Sequence, residues 1–171
     1  FSVSDNTSDV YWFHVASLGE FMQLLPVLTK LKDNQPKSTS LVSFFSPSGF
    51  DHCDSDLVDL KIYLPFDFFW TVNQAIDIVK PKILIFVSYD IWPNLLWSAK
   101  RKGTQTNVFA TAFEDDSNKL LRPISSFYFS LFSSFDAIYT VSESDKLNLK
   151  KILGDSHSLV IEALGNPRYD N

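Results

Sequence analysis

The sequence predicts an α/β fold, a mostly parallel sheet with helices on both faces. Three observations carry this. Short β-branched and aromatic runs alternate with runs of helical period along the chain. The stretch Ile83-Leu-Ile-Phe-Val87 is apolar at every position, as a strand covered on both faces must be. Turn residues punctuate the runs, as at Ser46-Pro47-Ser48-Gly49 and Gly103. At 171 residues the chain fits one domain with a sizeable core.

Taken in order, residues 1–8 are polar and expected to be poorly ordered. Residues 10–15 read as the first strand. A helix over 20–32 follows, with Phe21, Leu24, Leu25, Leu28 and Leu31 on one face. Pro26 inside it predicts a late helix start or a kink, because proline removes a hydrogen bond. Residues 40–45 form a second strand, and the Ser46–Gly49 turn leads into a short helix. Residues 61–64 are a short strand closed by Pro65, after which Asp67 is placed to cap a helix reaching Val79. Pro81 resets the chain into the strand 83–87; residues 89–94 form a loop, and 95–101 a helix ended by Gly103. The remaining expectations are a strand at 106–111, an acidic loop at 114–116, an aromatic helix over 120–135 and a strand at 137–141. Ser142, with Asp145 three residues on, opens a helix that ends at Leu153 and Gly154, before a last strand at 159–163.

Composition narrows the function. Hydrophobic residues make up 45% and charged ones 20%, an ordinary globular balance. A net charge of −5 argues against a nucleic-acid partner, which needs a basic face. Five glycines are too few to suggest a glycine-rich phosphate loop. Cys53 stands alone, so neither an internal disulfide nor a cysteine zinc site is possible, and a reducing compartment fits. His14, His52 and His157 lack metal-ligand spacing. No run of 18 apolar residues predicts a membrane span. The chain opens at Phe1 without Met and closes at Asn171 just after a turn, which reads as a piece of a longer protein.

The chemistry is expected at the strand-to-helix junctions, where ligands of α/β domains gather. Ser17-x-x-Glu20 supports two readings. It fits a capping box, in which each side chain satisfies a backbone N–H of the other. It also places Glu20 as a general base, held ionised by the positive end of its helix. The readings compete, since a glutamate folded back onto Ser17 is less free to meet substrate. His14 reads as a core residue at a strand end, with catalysis as the alternative. Ser46, Ser48 and Gly49 offer hydroxyls and backbone N–H groups at a second junction. Asp90, Trp92 and Asn94 stand at a third, where a flat indole beside polar side chains suits a sugar. The aromatic stretch 124–135 reads as a core helix; a membrane-facing role is the alternative, weakened by its lack of Lys and Arg.

Together Phe13-His-Val-Ala-Ser-Leu-Gly-Glu20, Ser46-Pro-Ser-Gly49, Tyr63-Leu-Pro-Phe-Asp67, Asp90-Ile-Trp-Pro-Asn94 and Gly165-Asn-Pro-Arg-Tyr-Asp170 resemble, in order and spacing, the Kdo (3-deoxy-D-manno-octulosonic acid) transferases. The resemblance covers Trp12 to Asp170. It implies the GT-B architecture of two Rossmann-like domains, with this chain as the N-terminal, acceptor-binding half and the donor-binding half absent. The implied reaction moves Kdo from CMP-Kdo to a lipid A precursor in lipopolysaccharide biosynthesis, with inversion and without metal or cofactor. It takes place at the cytoplasmic face of the bacterial inner membrane; the fragment alone would be soluble and inactive. The family's general base falls on Glu20. Ser17 and Gly19 would shape its turn, and Ser46, Ser48, Gly49, Asp90, Trp92 and Asn94 would contact acceptor.

The chain departs from the family in three places. Ser88 and Asp90 stand where the family has Glu-x-Glu, and Phe113 where it has Arg after Asn-Ala. The 120–135 helix, often Arg-rich in the family, is rich in Ser and Phe here. Acceptor phosphates would meet fewer cations. Two other readings stay open: a different GT-B sugar-nucleotide transferase, and a non-catalytic module that binds sugar or lipid.

Overall fold

The computed structural model describes residues 8–113, 124–154 and 159–165. The expected acidic loop at 114–116, the first residues of the 120–135 helix, His157 and residues 166–170 lie outside these. The described chain runs β1 (Val10–Val15), α1 (Leu18–Asn34), β2 (Thr39–Phe44), α2 (Pro47–His52), β3 (Leu60–Tyr63), α3 (Phe69–Val79) and β4 (Ile83–Val87). It continues with α4 (Pro93–Arg101), β5 (Gln105–Thr111), α5 (Ile124–Phe132), β6 (Ala137–Thr140), α6 (Glu143–Leu153) and β7 (Val160–Ala163). The strands form one sheet in the order β3-β2-β1-β4-β5-β6-β7, and every pair is parallel. The expected α/β architecture, a Rossmann-like sheet with helices on both faces, is therefore the observed one.

Alternation along β1 divides the core. Tyr11, Phe13 and Val15 join Phe21, Leu24 and Leu28 of α1 on one face. Trp12 joins Val72 and Ile76 of α3 and Leu95, Leu96 and Ala99 of α4 on the other. With a side-chain period of two, a one-residue slip of β1 would exchange these sets, so the register is strongly held.

Two local expectations need correction. The helix after β1 begins at Leu18, not late, because Ser17 adopts extended backbone and its hydroxyl accepts the Glu20 N–H. Pro26 sits inside α1, whose buried Phe21, Leu24 and Leu28 hold the helix across the missing rung. Asp67 does not cap its own helix: Phe68 occupies that position, without a side-chain cap bond. The Asp67 carboxylate instead accepts the backbone N–H groups of Asn94 (3.0 Å) and Leu95 (2.9 Å) at the start of α4. The cap position of α4 is Trp92, which has no side-chain oxygen to offer, so Asp67, remote in sequence, does the work. The capping box at Ser142 and Asp145 forms as read.

Gly49 shows why α2 lies where it does. A Cβ there would meet the Phe44 ring at 2.8 Å and the backbone carbonyl carbon of Ser17 at 3.3 Å. The Phe44 ring is fully buried and cannot retreat cheaply. Gly49 thus lets α2 press against the turn that carries Ser17 and Gly19. Gly49→Ala is expected to lower unfolding free energy by about 1–3 kcal/mol in urea titration, the usual range for overpacking.

Candidate active site

The strand order turns back at β1, between β2 and β4. In open α/β sheets the crevice beyond the carboxyl ends of strands at such a reversal is the usual ligand site. The loops leaving β1, β2 and β4 meet here, and they carry Ser17 to Glu20, Ser46 to Gly49, and Asp90 to Asn94. Ser46 N–H donates to the Ala16 carbonyl at 3.3 Å, tying the first two loops together. Phe45 packs against Trp92 with ring centroids 5.0 Å apart, tying the second to the third.

Glu20 folds back over its own helix terminus. One carboxylate oxygen accepts the Ala16 N–H at 2.5 Å, one residue before the donor that a capping box would use. The reciprocal Ser17 contact is long, at 3.4 Å. Burial pushes the Glu20 carboxyl above its ordinary value; the Ala16 N–H works against this, and the charge of Asp90 adds to it. The helix terminus was expected to keep this group readily ionised. Burial outweighs it, and the result is a more basic carboxylate.

Asp90 is held from two sides. His14 Nε2 lies 3.0 Å from Asp90 Oδ2, and the Trp92 indole N–H donates to the same oxygen at 3.0 Å. Burial raises the Asp90 pKa, but the hydrogen bonds from His14 and Trp92 outweigh it and leave the carboxyl below its usual range. His14 is fully buried, with its Nδ1 3.0 Å from Ser43 Oγ. Ser43 Oγ in turn accepts the Trp12 indole N–H at 2.8 Å. An ionised Asp90 needs the hydrogen on Nε2, which leaves Nδ1 facing the Ser43 hydroxyl. Two carboxylates with pKa values pushed apart therefore share the crevice: Glu20 as the stronger base, Asp90 as the fixed negative charge.

The other sequence-derived candidates divide. Ser46 and Ser48 hydroxyls are 2.8 Å apart and exposed, free to face a polar ligand. Gly49 acts through packing. Asn94 is committed: its amide donates to the Asp67 backbone carbonyl at 2.7 Å, with a longer bond to the carboxylate. Gly19 is exposed in the first turn of α1. Sequence reasoning did not find Ser43 or the role of Asp67. Ser43 lies inside an apolar strand with no motif around it, and Asp67 works on a segment remote in sequence. Ser88, where the family resemblance expects an acid, has left-handed backbone (φ 60°), and its N–H donates to the Phe109 carbonyl at 2.8 Å. This strained residue starts the turn that brings Asp90 back over β1. Among the described residues, no group of three His, Cys, Asp or Glu side chains could hold a metal, and no helix is long and apolar enough to cross a membrane. A larger cavity, of about 470 Å³, lies on the α1 face beside Pro26, Ile85 and Phe109 and has no carboxylate among its described lining residues.

Two substitutions test this geometry. With the Glu20 pKa raised on folding, the folded state binds the proton more tightly than the unfolded chain. The stability linked to this group is full below the ordinary glutamate pKa and is lost as pH rises through the raised value. Gln keeps an acceptor for the Ala16 N–H and carries no charge. Glu20→Gln is therefore expected to be at least as stable as the parent at pH 7 in urea unfolding, its advantage vanishing below about pH 4. A carboxylate serving the helix terminus through its charge would give the opposite sign. Asp67→Ala is expected to cost about 1 kcal/mol, the worth of a lost helix cap, measured the same way.

Comparison with known proteins places the chain in a family. The chain is 26% identical over 94% of its length to a 3-deoxy-D-manno-octulosonic acid transferase of Chlamydophila psittaci, covering 37% of that protein. It is 34% identical over 61% of its length to the enzyme of that name from Aquifex aeolicus, covering 30% of it. The chain thus spans about a third of the length of these curated relatives. Among solved structures, a UDP-GlcNAc 2-epimerase from Neisseria meningitidis bound to UDP-GlcNAc shares the fold, with a TM-score of 0.66 at 14% identity over 96% of this chain and 48% of the other. An α-glucosyltransferase complexed with UDP-glucose and DNA containing an abasic site aligns with a TM-score of 0.54 at 14% identity, over 92% of this chain and 42% of the other. The sequence profile of the family described as 3-deoxy-D-manno-octulosonic-acid transferase (kdotransferase) matches residues 1–171, the whole chain, which therefore belongs to that family of glycosyltransferases.

Proposed function

We propose that this chain is the acceptor-binding half of an inverting, metal-independent transferase that moves Kdo from CMP-Kdo to a lipid A precursor. The observation that carries the reading is the Glu20 carboxylate, half-buried at the strand-order reversal and made more basic by burial and by Asp90. A general base must attract the proton of the acceptor hydroxyl, and an upward-shifted pKa makes this carboxylate the stronger proton acceptor. In the reaction, an acceptor hydroxyl gives its proton to Glu20 as its oxygen bonds to the anomeric carbon of Kdo. The bond from that carbon to CMP breaks on the opposite face, and CMP leaves with the electron pair. Attack from one face and departure from the other give inversion.

Acceptor contacts in this reading come from Ser46 and Ser48, from the turn at Ser17 and Gly19, and from the face of Trp92, with Asp90 keeping that indole in place. Asn94 and Gly49 contribute by fixing the loops. CMP-Kdo would be held mainly by polypeptide beyond this chain, so residues 1–171 alone would bind acceptor without turnover. A lipid acceptor also asks for a membrane surface. Phe66 and Trp70 are 74% and 69% exposed beside the crevice, with Phe68 stacked on Trp70, an arrangement suited to the polar–apolar boundary of the inner membrane's cytoplasmic leaflet.

In the complete two-domain enzyme, Glu20→Gln is expected to lower transfer about 10²- to 10⁴-fold, the typical weight of a general base, while leaving acceptor affinity unchanged. Transfer at the parent rate would remove Glu20 from the mechanism.

A further inference from the structure

The loop that carries Asp90 and Trp92 has two sides. Asp90 and Trp92 turn to His14 and Phe45, and Asn94 turns to Asp67. The residues between them, Tyr89, Ile91 and Pro93, line a cavity of about 240 Å³. The opposite wall is Phe113, at the end of β5, with Tyr128 and Phe132 of α5. Ring contacts set its shape: Tyr89 and Phe132 each meet Phe113 edge-on, at 5.5 and 5.0 Å, and Tyr128 stacks on Phe132 at 5.9 Å. One strand of loop separates this cavity from the crevice that holds Glu20.

The lining decides what can enter. Among the described residues, no charged side chain lines the cavity. Among the described lining residues a phosphate or carboxylate would lose its water and meet no cation. A bare sugar ring would find, among the same residues, the tyrosine hydroxyls for its many polar groups. An aliphatic chain needs neither cation nor hydrogen bond, and gains from leaving water. Phe113 is 3% exposed and belongs to the core, so the apolar character is built in rather than a surface accident.

We infer that this cavity is an apolar subsite of the acceptor, taking an aliphatic chain of the molecule whose hydroxyl is presented to Glu20 on the other side of the 89–94 loop. The inference rests on the transferase reading above. It adds a determinant of specificity: an acceptor bearing a chain that reaches around the loop is retained, and a chainless sugar is not.

The test is a titration of the chain with alkyl β-D-glucosides below their micelle concentrations, followed by amide and aromatic NMR shifts. Hexyl, heptyl and octyl glucosides are expected to give saturable shifts at Tyr89, Ile91, Phe113 and Tyr128. Each added methylene should tighten binding about fourfold, and methyl glucoside should leave these residues unmoved. Phe127, which lines the rim and is half exposed, offers a variant that spares the core. Phe127→Ser is expected to weaken octyl glucoside about tenfold with an unchanged melting temperature. Trp70→Ser, at the exposed first turn of α3, should leave affinity unaltered. Affinity that ignores chain length, or that is lost in Trp70→Ser and kept in Phe127→Ser, would overturn the assignment. Because the titration needs no donor and no turnover, it stands or falls separately from the role of Glu20.

Discussion

β1 lies between β2 and β4 in a sheet whose strands all run the same way, and each crossover must return over one face. The chain leaves β1 through α1 and α2 on one face and reaches β4 through α3 on the other. At the carboxyl end of β1 the crossovers leave to opposite faces, and the loops that follow β1, β2 and β4 line the space between. The crevice is therefore a consequence of topology before any side chain is considered. Ser17 to Glu20, Ser46 to Gly49 and Asp90 to Asn94 converge because they follow the three strands that meet at the reversal.

What the side chains add is rigidity and charge. His14 is bonded through both ring nitrogens, to Ser43 on β2 and to Asp90 after β4, so it couples three neighbouring strands below the crevice floor. Asp90 is thereby fixed as a carboxylate that Glu20 must face. Burial raises the basicity of Glu20, and the nearby Asp90 charge adds to it. Asp67 completes the frame by holding the first N–H groups of α4, which sets the height of Trp92 above His14. The loop from Tyr89 to Asn94 is then a partition, polar on the side of Glu20 and apolar on the side of Phe113.

The departures from the family pattern acquire a physical sense in this frame. Ser88 takes a left-handed turn that passes Asp90 across to His14. A single shortened acid thus remains in the crevice, bonded from two sides. Phe113 stands where the resemblance expects Arg, and its ring is packed against Tyr89 and Phe132. An arginine there would need a counter-charge that the described lining does not supply. The aromatic residues of α5 and Phe113 therefore belong to one device, an apolar chamber where a cationic one was expected.

Much of this was legible in the sequence, for reasons that are local. The apolar run at Ile83 to Val87, the alternation in Val10 to Val15 and the 3.6-residue period after Glu20 report burial directly, and burial is what strands and helices of an α/β domain are made by. Ser142 with Asp145, and Ser17 before Glu20, announce helix starts because a cap needs its oxygen within three residues of the N–H it serves. Only the tertiary structure could decide the partners that are far apart in sequence: Asp67 with Asn94, His14 with Asp90, and Trp12 with Ser43. It also decided the basicity of Glu20, since burial is set by which loops close around a group. The sequence determined the elements and the carboxylate, and the order in which parallel strands pair determined what that carboxylate meets.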